Sequence, residues 1–198
     1  QFDDARFGVS MIRTALEMGG HALNYCAVTD LQTNSSGDIN GVSCCDELSG
    51  ETFGVKARAV INCTGPWADT LREMADSEMT PMMTVSSGAH LLLKQNILPQ
   101  GRGILIPKTD DGRVLFLLPW LGKTLVGTTD VACRLTDTPT VSEEDIEYLL
   151  ATCNQWLDTQ LTREDVASSW AGLRPLIANP EAQSTATLTR EHMVLDDN

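Results

Sequence analysis

The tightest constraint on this chain lies at residues 59–69. An apolar run, Ala59, Val60 and Ile61, ends in Asn62, Cys63, Thr64 and Gly65 and then meets Pro66 and Trp67. A short apolar run of this kind reads as a strand buried on both faces, as strands of parallel sheets are. The small residues that follow fit a tight turn, and Pro66 suits the first position of a helix. A strand, a tight turn and a helix start aim backbone N–H groups at one spot, where an anion such as a cofactor pyrophosphate is held. The same spacing also describes a plain strand-to-helix connection, and the stretch alone does not choose between the two.

On either side of it the local signals alternate. Asp3 or Asp4 caps a helix whose apolar residues Val9, Ile12 and Leu16 recur at helical spacing until Gly19 and Gly20 stop it. Residues 22–28 read as a strand, 34–38 as a turn, and 41–47 with 51–55 as a hairpin leading into 59–63. That order builds an α/β layer with a side hairpin. A helix from Trp67 to about residue 74 is followed by a polar, proline-containing segment, the expected boundary between domains 1–78 and 79–198.

Beyond that boundary the pattern changes. Strands expected at 84–93, 103–106, 113–119 and 124–129 suggest a mainly antiparallel sheet. Ser142 caps one strong helix, Asp145 completes a capping box, and Ile146, Leu149, Leu150, Cys153 and Leu157 form a stripe suited to packing on the sheet. Residues 166–170 return as a strand, 178–185 as a loop and 187–195 as a last strand. The expected class is α/β, α+β over the whole chain.

Charge and cysteine usage narrow the function. A net charge of −13 argues against binding nucleic acid or an anionic membrane through bulk charge. No apolar run approaches the roughly 18 residues needed to span a bilayer. The opening Gln1, Phe2, Asp3 and Asp4 resemble neither a signal nor a transit peptide and read as the middle of a longer protein. The six cysteines show no metal-ligand spacing, so no metal is expected; most read as core thiols of a reducing compartment.

In so acidic a chain the local cations stand out. Arg174 sits between Gly172 and Pro175 at the expected end of a strand. Pro175 holds it extended, Gly172 permits close backbone approach, and a guanidinium fork grips a carboxylate or phosphate at two points. A surface arginine paired with a neighbouring acid fits the same residues. Arg190 and His192 are two apart and share a strand face, where they can hold a dianion or be neutralised by Glu191. His90 reads as a strand histidine, and Gly127, Thr128, Thr129 and Asp130 as a strand-to-loop turn able to border a site. No Gly-rich phosphate loop, hydrolase triad or metal cluster is present in the sequence.

Taken in order, several stretches resemble the FAD-dependent glycerol-3-phosphate dehydrogenases. They are Phe2 to Arg6, Ile61 to Ala68, Gly127-Thr128-Thr129-Asp130, Gly172-Leu173-Arg174-Pro175-Leu176 and Thr189-Arg190-Glu191-His192. The resemblance covers nearly the whole chain and implies a glutathione-reductase-like FAD domain beside an antiparallel-sheet substrate domain. It places Arg174, as a catalytic residue, beside flavin and substrate. Arg190 and His192 would bind the substrate, and Ala27, Val28, Cys63, Thr64, Gly65, Pro66 and Gly172 would line the FAD. The implied reaction passes a hydride from carbon 2 of glycerol 3-phosphate to the flavin, and electrons then go to a quinone. The implied location is peripheral, on the cytoplasmic face of the inner membrane.

The resemblance has gaps. The family's Gly-rich βαβ unit, a histidine of that region and a later Gly-Gly-Lys-x-Thr-Thr segment have no counterpart here, and Ser87 stands where a lysine is expected. The expectation is that the full-length protein is the enzyme, while this soluble segment alone binds FAD weakly or not at all. An amine- or amino-acid-oxidising flavoenzyme, with Arg174 on a carboxylate, and a non-catalytic binding module are the alternatives.

Overall fold

In the computed structural model, which describes residues 3–99, 101–178 and 193–195, the first helix starts where its cap predicts. The Asp3 carboxylate accepts the Arg6 N–H at 3.0 Å and α1 spans Asp4–Glu17. None of its residues is buried, and Phe7, Val9, Ile12 and Leu16 all stand half exposed. The cap and the spacing set where the helix runs; stabilising it by burial of its stripe needs a second layer.

The described residues divide into two compact units between residues 62 and 63. In the first, β1 (Cys26–Thr33), β2 (Ile39–Asp46) and β3 (Thr52–Lys56) form an antiparallel sheet in that order. The strand expected at 22–28 thus begins only at Cys26, after Tyr25 takes a positive φ of 52° that breaks any extended run there.

Residues 59–63 are a correction. They form no strand, and Ile61 is 84% exposed. An apolar strand of the parallel kind holds only with ladder neighbours and covering layers, and no described strand pairs with this one. The turn after it does form: Gly65–Trp67 is a short 3-10 turn with Pro66 inside it, followed by α2 (Ala68–Ala75).

The second unit is built on a six-stranded sheet, in the order β5 (Ile104–Ile106), β6 (Leu115–Trp120), β7 (Lys123–Gly127), β4 (Met83–Leu93) and β8 (Val131–Ala132), with β9 (Val166–Ile177) along the other edge of β4. Every described pairing is antiparallel. Alternation along β4 sends Ala89, Leu91 and Leu93 to one face and Gly88, His90 and Leu92 to the other. The first set joins Leu115, Leu117 and Val126 in a core closed by Ile146, Leu149, Leu150 and Cys153 of α3 (Glu143–Leu157). α3 carries the capping box expected of it: Ser142 and Asp145 exchange side-chain-to-backbone hydrogen bonds.

Polar side chains fix the margins of this unit. The Asp69 carboxylate accepts Met82 N–H at 2.9 Å and Met83 N–H at 2.7 Å and pairs with Arg72, which ties α2 to the start of β4. Tyr148 of α3 donates to Asp111, which also pairs with Arg113 beneath the β5–β6 turn. Two expectations need adjusting here. β9 does not end at Trp170 but runs on through Arg174 to Ile177; among the described residues it pairs with β4 alone, and such a strand tolerates Pro175. The short strand β8 carried too little pattern to be read from sequence.

Candidate functional site

The site forms at a break in a strand. β7 pairs with His90 to Leu93 of β4, and β8 pairs with Ser86 and Ser87 on the same edge, so the ladder lapses beside Gly88 and Ala89. Residues 128–130 fill the lapse. Thr129, 1% exposed, accepts the Ala89 N–H at 2.9 Å and replaces the missing ladder bond. Its neighbours Thr128 and Asp130 instead meet Arg174. Arg174 Nη2 donates to Thr128 Oγ1 at 2.9 Å, and Nη1 lies 3.5 Å from Asp130 Oδ1.

To reach them Arg174 must cross β4. It stands on β9 opposite Ser86, and its guanidinium lies over the α-carbon of Gly88. A Cβ built on Gly88 would come within 2.2–2.5 Å of Nη2, Nη1 and Cζ. One strand further on the same device recurs. His90 leans over Gly127, whose added Cβ would lie 2.2 Å from the His90 Cδ2. Both side chains thus lean the same way across the sheet, each over a glycine of the next strand, on the face away from α3. Trp170 stacks on the His90 ring at 5.7 Å between centroids and 10° between planes.

Arg174 is therefore a cation of fixed direction, its side chain 20% exposed, on a face that also carries an imidazole. A held guanidinium and an imidazole on one open face suit an anionic, hydroxyl-bearing molecule better than an apolar one. The sequence puts Arg174 on a stiff extended segment, as found, whereas from sequence His90 reads as a plain strand histidine and Gly88 and Trp170 carry no role. The spacing of Gly88 and His90, two apart on one strand, was the available signal.

The expected cofactor-lining residues fall in both units. In the second, the turn at Gly65–Trp67 lies against β4 and β9. Gly65, at φ 58°, and Gly172 both face open space, with nothing within 4 Å of a Cβ built there. Bare backbone at Gly65 and Gly172, with the exposed Cys63 and Thr64 and the half-buried Pro66 alongside, fits the edge of a flat ring system. Ala27 and Val28 lie in the first unit, on β1 opposite Cys45 and Cys44. Arg190 and His192, and most of the strand expected at 187–195, lie outside the described residues. Among the described residues no group of His, Cys, Asp and Glu is placed to hold a metal ion, and no helix is long and apolar enough to cross a membrane.

A family model described as FAD dependent oxidoreductase matches residues 1–190. The chain is 39% identical over 199 residues to a mitochondrial glycerol-3-phosphate dehydrogenase of Arabidopsis thaliana, covering 100% of this chain and 32% of that protein. The mitochondrial glycerol-3-phosphate dehydrogenase of Bos taurus is 39% identical over 202 residues, covering 98% of this chain and 28% of that one. Among solved structures, the glycerol-3-phosphate dehydrogenase of Bacillus halodurans, complexed with FAD, superposes with a TM-score of 0.84 at 38% identity, over 90% of this chain and 36% of its own. The chain thus spans about a third of the length of the relatives it matches.

Proposed function

Because the chain belongs to the FAD dependent oxidoreductase family, we propose that it is part of a flavoenzyme oxidising sn-glycerol 3-phosphate to dihydroxyacetone phosphate. The observation that carries this reading is the seat of Arg174. The guanidinium is anchored by Thr128 and Asp130 and laid over Gly88, on the face it shares with His90. A mobile surface arginine would need neither the anchor nor the bare glycine.

FAD, when bound, supplies the acceptor for the hydride that leaves carbon 2. In the second unit Cys63, Thr64, Gly65, Pro66 and Gly172 would hold it; Ala27 and Val28 are the residues of the first unit that the family resemblance assigns to the cofactor. Arg174 orients the substrate and offsets negative charge developing on the carbon 2 oxygen. The hydroxyl proton needs an acceptor, and the His90 imidazole is able to hold it on the Arg174 face. Arg190 takes the phosphate dianion, and His192 is a further substrate-binding residue. In this reading residues 1–78 serve the cofactor and 79–198 the substrate. The electrons continue to a quinone, and the whole enzyme sits peripherally at the inner membrane.

The test uses the full-length protein, with flavin reduction followed anaerobically. Glycerol 3-phosphate should bleach the flavin while amino acids do not, and Arg190→Ala should raise KM for glycerol 3-phosphate about 10-fold or more, as loss of a charge-assisted contact does. Bleaching by amino acids alone would refute the proposal in favour of a carboxylate on Arg174.

A further inference from the structure

Trp170 is 43% exposed, an unusual position for an indole whose contribution would be burial alone. Its placement has a different logic. It stands on β9 directly opposite His90 of β4, and His90 in turn stands opposite Gly127 of β7, so the three positions form one row across the sheet. The imidazole leans towards β7 until it lies over Gly127, with Nε2 2.8 Å and Cδ2 2.2 Å from where a Cβ would be. The indole follows it, near-parallel at 10° and 5.7 Å away. Trp170 therefore blocks the return of the ring towards β9, and the bare backbone of Gly127 provides its seat on the other side.

We propose that Trp170 is a positioning residue for His90: with Gly127 it confines the imidazole to one orientation on the face that Arg174 shares. This rests on the reading above that His90 meets the substrate. A misplaced acid–base group slows the reacting step far more than it weakens binding, because ångström-scale errors in geometry cost up to about 100-fold in rate. In the reading above substrate affinity depends on Arg174 and Arg190, whereas the Trp170 indole stacks on the imidazole.

In the full-length enzyme, Trp170→Ala should lower kcat for glycerol 3-phosphate by roughly 10-fold or more, with KM changed by no more than about 2-fold. Trp170→Phe keeps a ring in the stack and should restore most of the rate. Gly127→Ala displaces the same imidazole from the opposite side and should also lower kcat. In a His90→Ala background, Trp170→Ala should cost nothing further, since its effect passes through the ring. Unchanged kcat in Trp170→Ala, or an equal loss with and without His90, would overturn the proposal.

A second readout is independent of turnover. The chain has three histidines, and in the 198-residue protein the His90 ring protons should carry an upfield NMR shift from the indole that disappears in Trp170→Leu. Persistence of that shift overturns the stacking role even if the full-length protein does not oxidise glycerol 3-phosphate. Failure to oxidise it with the shift lost as expected refutes the substrate assignment alone.

Discussion

Replacing Gly88 by alanine tests the Arg174 seat directly. The new Cβ would fall 2.2–2.5 Å from three guanidinium atoms, so the guanidinium must leave its place over β4. Gly88 has no positive φ, so the backbone itself accepts alanine. Displacement forfeits the charged hydrogen bond to Thr128, worth about 1.5–3 kcal/mol. It also forfeits the ion pair with Asp130, whose partners are 20% and 12% exposed; after solvent screening this contributes on the order of 1 kcal/mol. Alanine in place of glycine within a strand returns about 0.5–1 kcal/mol of chain entropy. The net expectation is a loss of roughly 2 kcal/mol, measured as a lower urea midpoint by tryptophan fluorescence. In the full-length enzyme KM for glycerol 3-phosphate should rise about 10-fold, the equivalent of one lost charge-assisted contact. The decisive control is the same change in an Arg174→Ala background. With no guanidinium to displace, Gly88→Ala should there be neutral or stabilising by about 0.5 kcal/mol. Equal destabilisation in both backgrounds would show that Gly88 is required for some other reason and would refute the seat.

Other consequences follow from the same packing. Leu149, fully buried where α3 meets the sheet, should cost about 2–5 kcal/mol when cut to alanine; a thermal midpoint unchanged from the parent would contradict that core. Burial raises the pKa of Asp111, but hydrogen bonds from Thr109 and Tyr148 and the Arg113 guanidinium outweigh it and hold the carboxyl below its ordinary value. Its contribution is therefore present above the unfolded pKa and lost as pH falls through the folded one. Below about pH 4 the parent should lose stability more steeply than Asp111→Asn, and equal slopes would remove Asp111 from the account. Burial pushes the Cys153 thiol up to about 12, whereas Cys63 is exposed. Iodoacetamide at mildly alkaline pH should label Cys63 well before Cys153, and mass spectrometry showing equal rates would place Cys153 outside the core.

Local chemistry was readable from the sequence wherever the determinants lie within a few residues of one another. The capping box at Ser142 and Asp145, the cap at Asp3 and the stripe of α3 satisfy their own backbone or face a single core, so spacing alone specifies them. The strand expected at 59–63 failed for the opposite reason. Its apolar residues state a preference for burial, but only a neighbouring strand can convert that preference into a ladder, and none is described there.

The site belongs to the second kind. Arg174 and Thr128 are 46 residues apart, and nothing in either stretch indicates the other. What joins them is the order of strands, with β4 between β7 and β9, and the register that sets Gly88 under the arginine and Gly127 under the histidine. By itself the sequence determined which residues carry charge and where the helices and most of the strands form. Only the tertiary structure decided which of them share a face, because sheet order and register arise from pairings between strands that no local spacing encodes.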